Sequence, residues 1–289
     1  MEYLIHIAIF ISIYSILALS LNLVVGYTGL LSVTHAAFYG IGAYVTALLL
    51  VSNSGINFFL AALLGMLLTG VVALGMGVVF SRFKAEYYAL GSFGLNIIIF
   101  SIFLNWQSIT RGPLGIPGIP RPEIFGFQFG ENFSFLILSM VFAAITYFIC
   151  LFITKSSFGR VLMAIREDEE AISIFGYSTG YYKLVIFTIS AMLAAFAGSL
   201  FATYITFIDP SSFTLNESIF ILAIIILGGL ASHKGAIVGA FCLIILPEVL
   251  RFVGFPSDVA AQMRQVVYGL ILILLMLYRP QGLFGKFRL

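Results

Sequence analysis

The sequence is short of charge. Its 289 residues include 14 lysines and arginines and 12 aspartates and glutamates, together 9% of the chain. A water-soluble domain of this length needs far more charge to cover its surface, so that class is excluded. Histidine is scarce too. His6, His35 and His233 are scattered, with no nucleophile–base pattern or cluster of metal ligands around them. Because an enzyme needs one or the other, a membrane-embedded enzyme is disfavoured, and no catalytic or metal-binding residue is assigned. The two cysteines, Cys150 and Cys242, lie inside apolar runs and read as small core residues, not as a disulfide or metal pair. A net charge of +2 gives no footprint for nucleic acid. A phosphate-binding loop is also missing. It requires Gly-x-x-x-x-Gly-Lys-Ser/Thr, and the nearest approach, "GGLASHKG", has His233 before Lys234 and Gly235 after it. Any ATP hydrolysis therefore belongs to another polypeptide. Met1-Glu2 offers no basic n-region and no small-residue cleavage site follows, so the first apolar run reads as a retained span.

What the chain has is oil. It is 61% hydrophobic, with a mean hydropathy of +1.13. The apolar runs are long and continuous, which excludes the alternating pattern of a membrane β-barrel. A bilayer core of about 30 Å needs roughly 20 apolar residues per helix. The expectation is an all-α, polytopic transmembrane helical bundle of about 8–9 spans, forming one transmembrane domain over residues 1–289. The candidate spans are 4–24, 36–52, 58–80, 86–106, 133–154, 184–208, 217–230, 236–253 and 264–278. Threading them with the N-terminus outside puts Arg82, Lys84, Lys155, Arg160, Arg166, Lys183, Lys234, Arg279, Lys286 and Arg288 on the cytoplasmic side. Only Arg111, Arg121, Arg251 and Arg264 fall outside, so the lysine/arginine bias favours N outside and C cytoplasmic.

Two segments stand apart from the spans. Residues 107–132 hold four of the eight prolines and five glycines, which precludes a long helix and predicts an outer loop, either a docking surface or a connector. Residues 155–183 form the expected cytoplasmic segment, and within it "GRVLMAIREDEEAISIFGYSTGYYK" (Gly159–Lys183) carries seven of the 26 charges. Val161, Ile165, Ile172 and Phe175 share one helical face, which predicts an amphipathic cytoplasmic helix ended by Gly176 and Gly180. Asp168 falls on the same apolar face. Either the segment bends there into two short helices, or the acid meets a cation on a partner.

Within this segment "EEAISIFG" resembles the coupling motif of ABC importer permeases, with Glu170, Ala171 and Gly176 in register and Ile172 where the motif has a second alanine. The longer string Gly159–Leu200 resembles the branched-chain amino-acid ABC permeases of the LivM type. So do "LNLVVGYTGLLSVTHAAFYGIGAYVTALL" (Leu21–Leu49), "ILPEVLR" and "LYRPQGLFG". Thr34 stands where that family more often has glycine, and "ASHKGAIVG" lacks the family's usual tryptophan and proline. The resemblance implies a permease that binds no cofactor itself, in the plasma (inner) membrane of a prokaryote. Its implied partners are a second homologous permease, two cytoplasmic ATPases carrying ATP and magnesium, and an extracytoplasmic substrate-binding protein. It assigns ATPase coupling to Arg160, Arg166, Asp168, Glu169, Glu170, Ala171 and Gly176.

A path through the membrane needs polar groups at depth, and broken helices expose them. The candidate residues are Gly26, Gly29, Ser32, Thr34 and His35, with Asn96 as a lone polar residue in another span. His35 equally fits a satisfied structural histidine. "GLLSVTHA" and "GLASHKGA" share Gly-Leu-x-Ser-x-x-x-Ala, a faint sign of paired elements. Small residues spaced four apart in "SAMLAAFAGSLFA" (Ser190–Ala202) predict close helix packing, inside the protein or against a second permease. Glu248 and Arg251 are expected to pair, and Asp209 and Glu217 to flank a span on the outer side. An ion-coupled transporter of a small polar solute remains the alternative, although it needs no ATPase-facing helix. The same ABC permease could also carry urea or amides.

Overall fold

The computed structural model describes residues 2–52, 55–83, 85–124, 127–252, 269–270, 273 and 281–285. Most of the expected span 264–278, Arg264 and the position of the C-terminus lie outside this set.

Long uninterrupted apolar runs give long helices: α1 (Glu2–Thr28), α3 (Phe58–Phe80), α4 (Ala85–Asn105), α6 (Asn132–Lys155) and α9 (Thr179–Ile205). By length and composition, five helices of the described residues can cross a membrane, or six if the bent pair α10 (Leu215–Gly228) and α11 (His233–Phe252) counts as one. The expected crossings at 36–52 and 217–230 are instead shorter helices, α2 (His35–Val51, 17 residues) and α10 (14 residues). At 1.5 Å per residue they span about 25 and 21 Å, less than a full hydrocarbon core.

The core is built on α9, which packs closely on α2 and also against α1 and α3. Gly42 and Gly198 make it possible: a Cβ at Gly42 would enter the Ala195 carbonyl, and one at Gly198 would enter that of Tyr39. The small-residue stripe of α9 is thus spent inside this chain, against α2. Around this core, α3 and α6 turn Leu64, Leu67, Val71, Ile145, Phe148 and Phe152 outward, as a lipid-facing surface requires. Cys150 is buried and Cys242 partly so, both as free thiols.

The two ends of the bundle differ. At one end, Gln107–Thr110 forms the one-turn helix α5, and two small sheets follow. Strand β1 (Ile116–Pro117) pairs antiparallel with β4 (Phe207–Ile208), and β2 (Glu123–Ile124) with β3 (Phe127–Gln128). This loop closes over the ends of α9 and α6, where Arg121 lies 5.8 Å from the Tyr204 ring and donates to Asn132 at 3.0 Å. At the other end lie α7 (Ser157–Glu167) and α8 (Glu169–Ile174). Of the two alternatives at Asp168, the structure shows the bend into two short amphipathic helices. Asp168 ends the first and caps the second, its carboxylate accepting from the Ala171 N–H at 2.9 Å. Gly176, at φ +87°, terminates α8 as expected, whereas Gly180 lies inside α9. Glu248 accepts a hydrogen bond from Tyr3, a partner that sequence separation hides; the side chain of Arg251 lies outside the described residues.

Candidate functional site

The chain reverses direction twice inside the bundle, and the two reversals meet. After α1 ends at the α7–α8 end, Gly29 adopts φ +73° and residues 29–34 run back alongside α1 without helical structure. Helix α2 then starts beside Ser20 of α1 and Ser190 of α9, both well inside their helices, where His35 Nε2 lies 3.2 Å from each hydroxyl. After α9, the chain returns from the opposite end through Pro210–Phe213, and α10 starts beside the middle of α1 and α4. Tyr14, near the centre of α1, donates to the Glu217 carboxyl, and Asn96, near the centre of α4, bonds Ser218 at 2.5 Å. The N-termini of both short helices therefore face each other at mid-depth.

A seam of small polar groups ties them together. Ser218 of α10 accepts the Ala36 N–H at 2.9 Å and so caps α2, a role its own N-cap Thr34 does not fill. Thr34 instead bonds Ser32 at 3.0 Å. The extended Val33 is gripped from α4 on both sides: its N–H donates to Ser92 at 3.1 Å, and its carbonyl accepts from Asn96 Nδ2 at 2.7 Å. Ser92 and Asn96 are four apart and so share one helical face. Every one of these bonds compensates backbone or side-chain polarity that the hydrocarbon region would otherwise leave unsatisfied, at a cost of several kcal/mol each. Two atoms are left over: among the described residues, His35 Nδ1 and Asn96 Oδ1 have no partner. The imidazole is thus anchored through Nε2 and buried without a partner at Nδ1.

Of the six expected path residues, Ser32, Thr34, His35 and Asn96 belong to this seam. Gly26 and Gly29 do not. They sit at the α7–α8 end, where the Gly26 carbonyl accepts from the Arg166 guanidinium and a Cβ on Gly29 would come within 3.1 Å of Arg166 Cγ. The sequence reading missed Ser92, Ser218, Ser20 and Ser190, because lone serines in apolar helices carry no local signal. It also set Glu217 at the outer edge, whereas its Tyr14 contact places it at mid-depth. Asp209 does stay near the loop end, its carboxylate bound by Ser211 and by Ser212 at 2.8 Å.

The charged segment divides by exposure. Arg166 is half-buried against α1, and Glu169 reaches back to the buried Lys183 of α9 in the ion pair that fixes α8 to the bundle. Arg160 and Glu170 are exposed, as are Ile174 and Phe175, while Ala171 is half-buried. The echo between 29–36 and 229–236 acquires a reason as well. Gly29 and Gly229 each follow a helix end with positive φ, at +73° and +106°, the left-handed region where glycine is favoured. Among the described residues no group of histidine, cysteine or acidic side chains could hold a metal.

Long apolar helices enclosing a mid-depth seam of hydroxyls, amides and helix N-termini define a multi-pass integral membrane protein of the permease class. More particularly, the chain belongs to the family described as branched-chain amino acid transport system, permease component, whose family model matches residues 3–276. The high-affinity branched-chain amino acid transport system permease protein LivM of Salmonella typhimurium is 35% identical, over 96% of this chain and 69% of that protein. The LivH permease protein of the corresponding Escherichia coli system is 28% identical, over 95% of this chain and 92% of its own length. A probable LivM of Methanocaldococcus jannaschii is 25% identical over 96% of this chain and 92% of its own. No solved structure matches.

Proposed function

We propose that this chain is the membrane-spanning permease subunit of an ATP-driven ABC importer for branched-chain or related amino acids, working in the plasma (inner) membrane of a prokaryote. The family and the names of its relatives support the transport class and the substrate. Under this reading the α7–α8 end is cytoplasmic, in line with the lysine/arginine bias, and the N-terminus and the 107–132 loop face outward. Residues 1–289 act as one permease unit. It pairs with a second homologous permease and takes substrate from an extracytoplasmic binding protein. Two cytoplasmic ATPase subunits bind ATP and magnesium; this chain contributes no cofactor site.

The observation that carries the coupling role is a continuous physical link from an exposed surface to the seam. Helix α8 offers Glu170, Ile174 and Phe175 to a partner. A hydrophobic pair exposed beside acidic residues suits a groove with a basic rim on an ATPase. Displacing α8 moves Asp168, which belongs to both short helices, and so moves α7. Arg166 then transmits the motion to Gly26 and Gly29 at the foot of the 29–34 segment. That segment carries Val33 and His35 into the seam, so an ATPase stroke reaches the two facing helix N-termini without passing through lipid-exposed helices.

The test is uptake of labelled leucine, isoleucine and valine by cells with and without the gene. Loss of all three uptakes supports the transport role and the substrate class. Unchanged uptake removes branched-chain amino acids from the reading and sends the search to other amino acids, amides or urea.

A further inference from the structure

We infer that the corner where α6 turns into α7 binds an anionic phospholipid, with Lys155 and Arg160 taking its phosphate and the last turns of α6 taking an acyl chain. The inference concerns the bilayer around this chain and stands whether or not the transport reading does.

Helix α6 has 24 residues, about 36 Å at 1.5 Å per residue. That length crosses the hydrocarbon core and leaves its last residue, Lys155, at the boundary. Tyr177, Tyr181 and Tyr182 gather there, with the Tyr182 ring 5.0 Å from that of Phe158 in the first turn of α7. Tyrosines of this kind mark a membrane interface. At the same level the chain turns. Ser156 ends α6 and caps α7, its hydroxyl accepting the Gly159 N–H at 3.4 Å. The turn leaves an open hollow of about 540 Å³, lined by Phe148, Leu151, Phe152, Lys155 and Ser156.

The hollow has an apolar wall and a cationic rim. Phe152 is 80% exposed and Phe148 is exposed as well, so the rest of the chain leaves this wall bare. Lys155 and Arg160 are exposed too, and among the described residues neither makes an ion pair. Arg160, one turn into α7, donates to the Ser157 hydroxyl at 2.9 Å, which holds its guanidinium at the corner. Of the five long helices, α6 is the least covered by the rest of the chain. A water-soluble ATPase cannot reach Phe148, two turns inside the boundary. A homologous permease obeys the same lysine/arginine bias and would bring like charge to this rim. An anionic phospholipid complements both surfaces at once, with phosphate for the two cations and hydrocarbon for the phenylalanines. Because Lys155 ends α6 and Arg160 belongs to α7, one headgroup ties the two helices together.

The test counts lipid on the complete transporter complex by native mass spectrometry, in neutral detergent titrated with phosphatidylglycerol or phosphatidylcholine. The wild type should bind phosphatidylglycerol at concentrations where phosphatidylcholine does not bind. A basic residue beside an anionic headgroup is worth about fivefold in affinity. Lys155→Gln should therefore weaken this site about fivefold, and Lys155→Gln with Arg160→Gln roughly 30-fold. Lys155→Arg with Arg160→Lys keeps both charges and should keep the binding. Subunit masses in the same spectra show whether the complex is assembled. Lys155 is not among the residues assigned to ATPase coupling, so its variant stands as a test even if Arg160→Gln releases the ATPases. The proposal is overturned if phosphatidylcholine binds as well as phosphatidylglycerol, or if Lys155→Gln binds phosphatidylglycerol as tightly as the wild type. It is equally overturned if the charge-preserving pair binds as weakly as the glutamine pair, or if equimolar inorganic phosphate displaces the lipid, which would make the corner a site for the free anion.

Discussion

Arg166 is the narrowest point in the link between α8 and the seam, and replacing it with methionine isolates that link. The side chain does two things: its stem covers Gly29, and its guanidinium donates to the Gly26 carbonyl. Methionine keeps most of the stem and removes the donor. Hydrogen bonds made by charged groups contribute about 1.5–3 kcal/mol, so the attachment of α7 to the end of α1 should weaken by about 2 kcal/mol. At 1.4 kcal/mol per factor of ten, the detached arrangement becomes roughly 30-fold more populated. Under the proposed coupling role this variant leaves the α8 docking surface intact, so ATP hydrolysis should continue while transport falls, and the number of ATP molecules spent per leucine should rise steeply. The assay is paired: phosphate release and labelled-leucine accumulation in proteoliposomes containing the whole complex, with thermal unfolding to confirm an intact fold. If transport and hydrolysis fall in proportion, or if the ratio stays at the wild-type value, Arg166 does not carry the stroke.

Three further outcomes follow from the geometry. Gly198→Val should destabilise the α2–α9 packing by at least the 1–3 kcal/mol typical of overpacking, because even a Cβ meets the Tyr39 carbonyl; lower yield and melting temperature would show it, and a normal melt would refute the close approach. Asp168→Ala removes the α8 cap, at a cost of about 1 kcal/mol, and should weaken ATPase binding with little change in the melting of the membrane helices. Ile174→Asp replaces an exposed apolar side chain with a charge, so it should leave stability unchanged and reduce ATPase co-purification; unaltered recovery of the complex would place the docking surface elsewhere.

Much of the helical architecture is legible in composition, because a 20-residue apolar run in a charge-poor chain has few alternatives. The crossing count is not. The runs at 36–52 and 217–230 resemble short spans in one dimension, and only tertiary contacts show that both begin at mid-depth. The break at Asp168 illustrates a different limit. Helical periodicity flagged the acid as misplaced and left two explanations open, and the Ala171 cap decides between them. Gly26 and Gly29 looked like path residues because glycine marks both close approach to a ligand and close approach to a neighbour. Here the neighbour is Arg166, 137 positions from Gly29 along the chain. The seam serines were invisible for the opposite reason, since a serine in an apolar helix can bond its own backbone and then needs no partner at all.

Asp168 joins two helices with one residue between them, at φ −156° and ψ 100°. A longer linker would absorb motion as slack, and a continuous helix would transmit it only along its axis. A single extended residue joins them instead with no spare length, its N–H bonded to the Ala164 carbonyl and its own carbonyl accepting the Ile172 N–H. Under the proposed coupling, a push on α8 reaches α7 through this one residue, and Arg166, two residues before it, moves with α7. The lever arm is short, so the carbonyl it holds travels only a few ångströms. Small travel with high stiffness suits a path that must open for one solute and stay closed to ions.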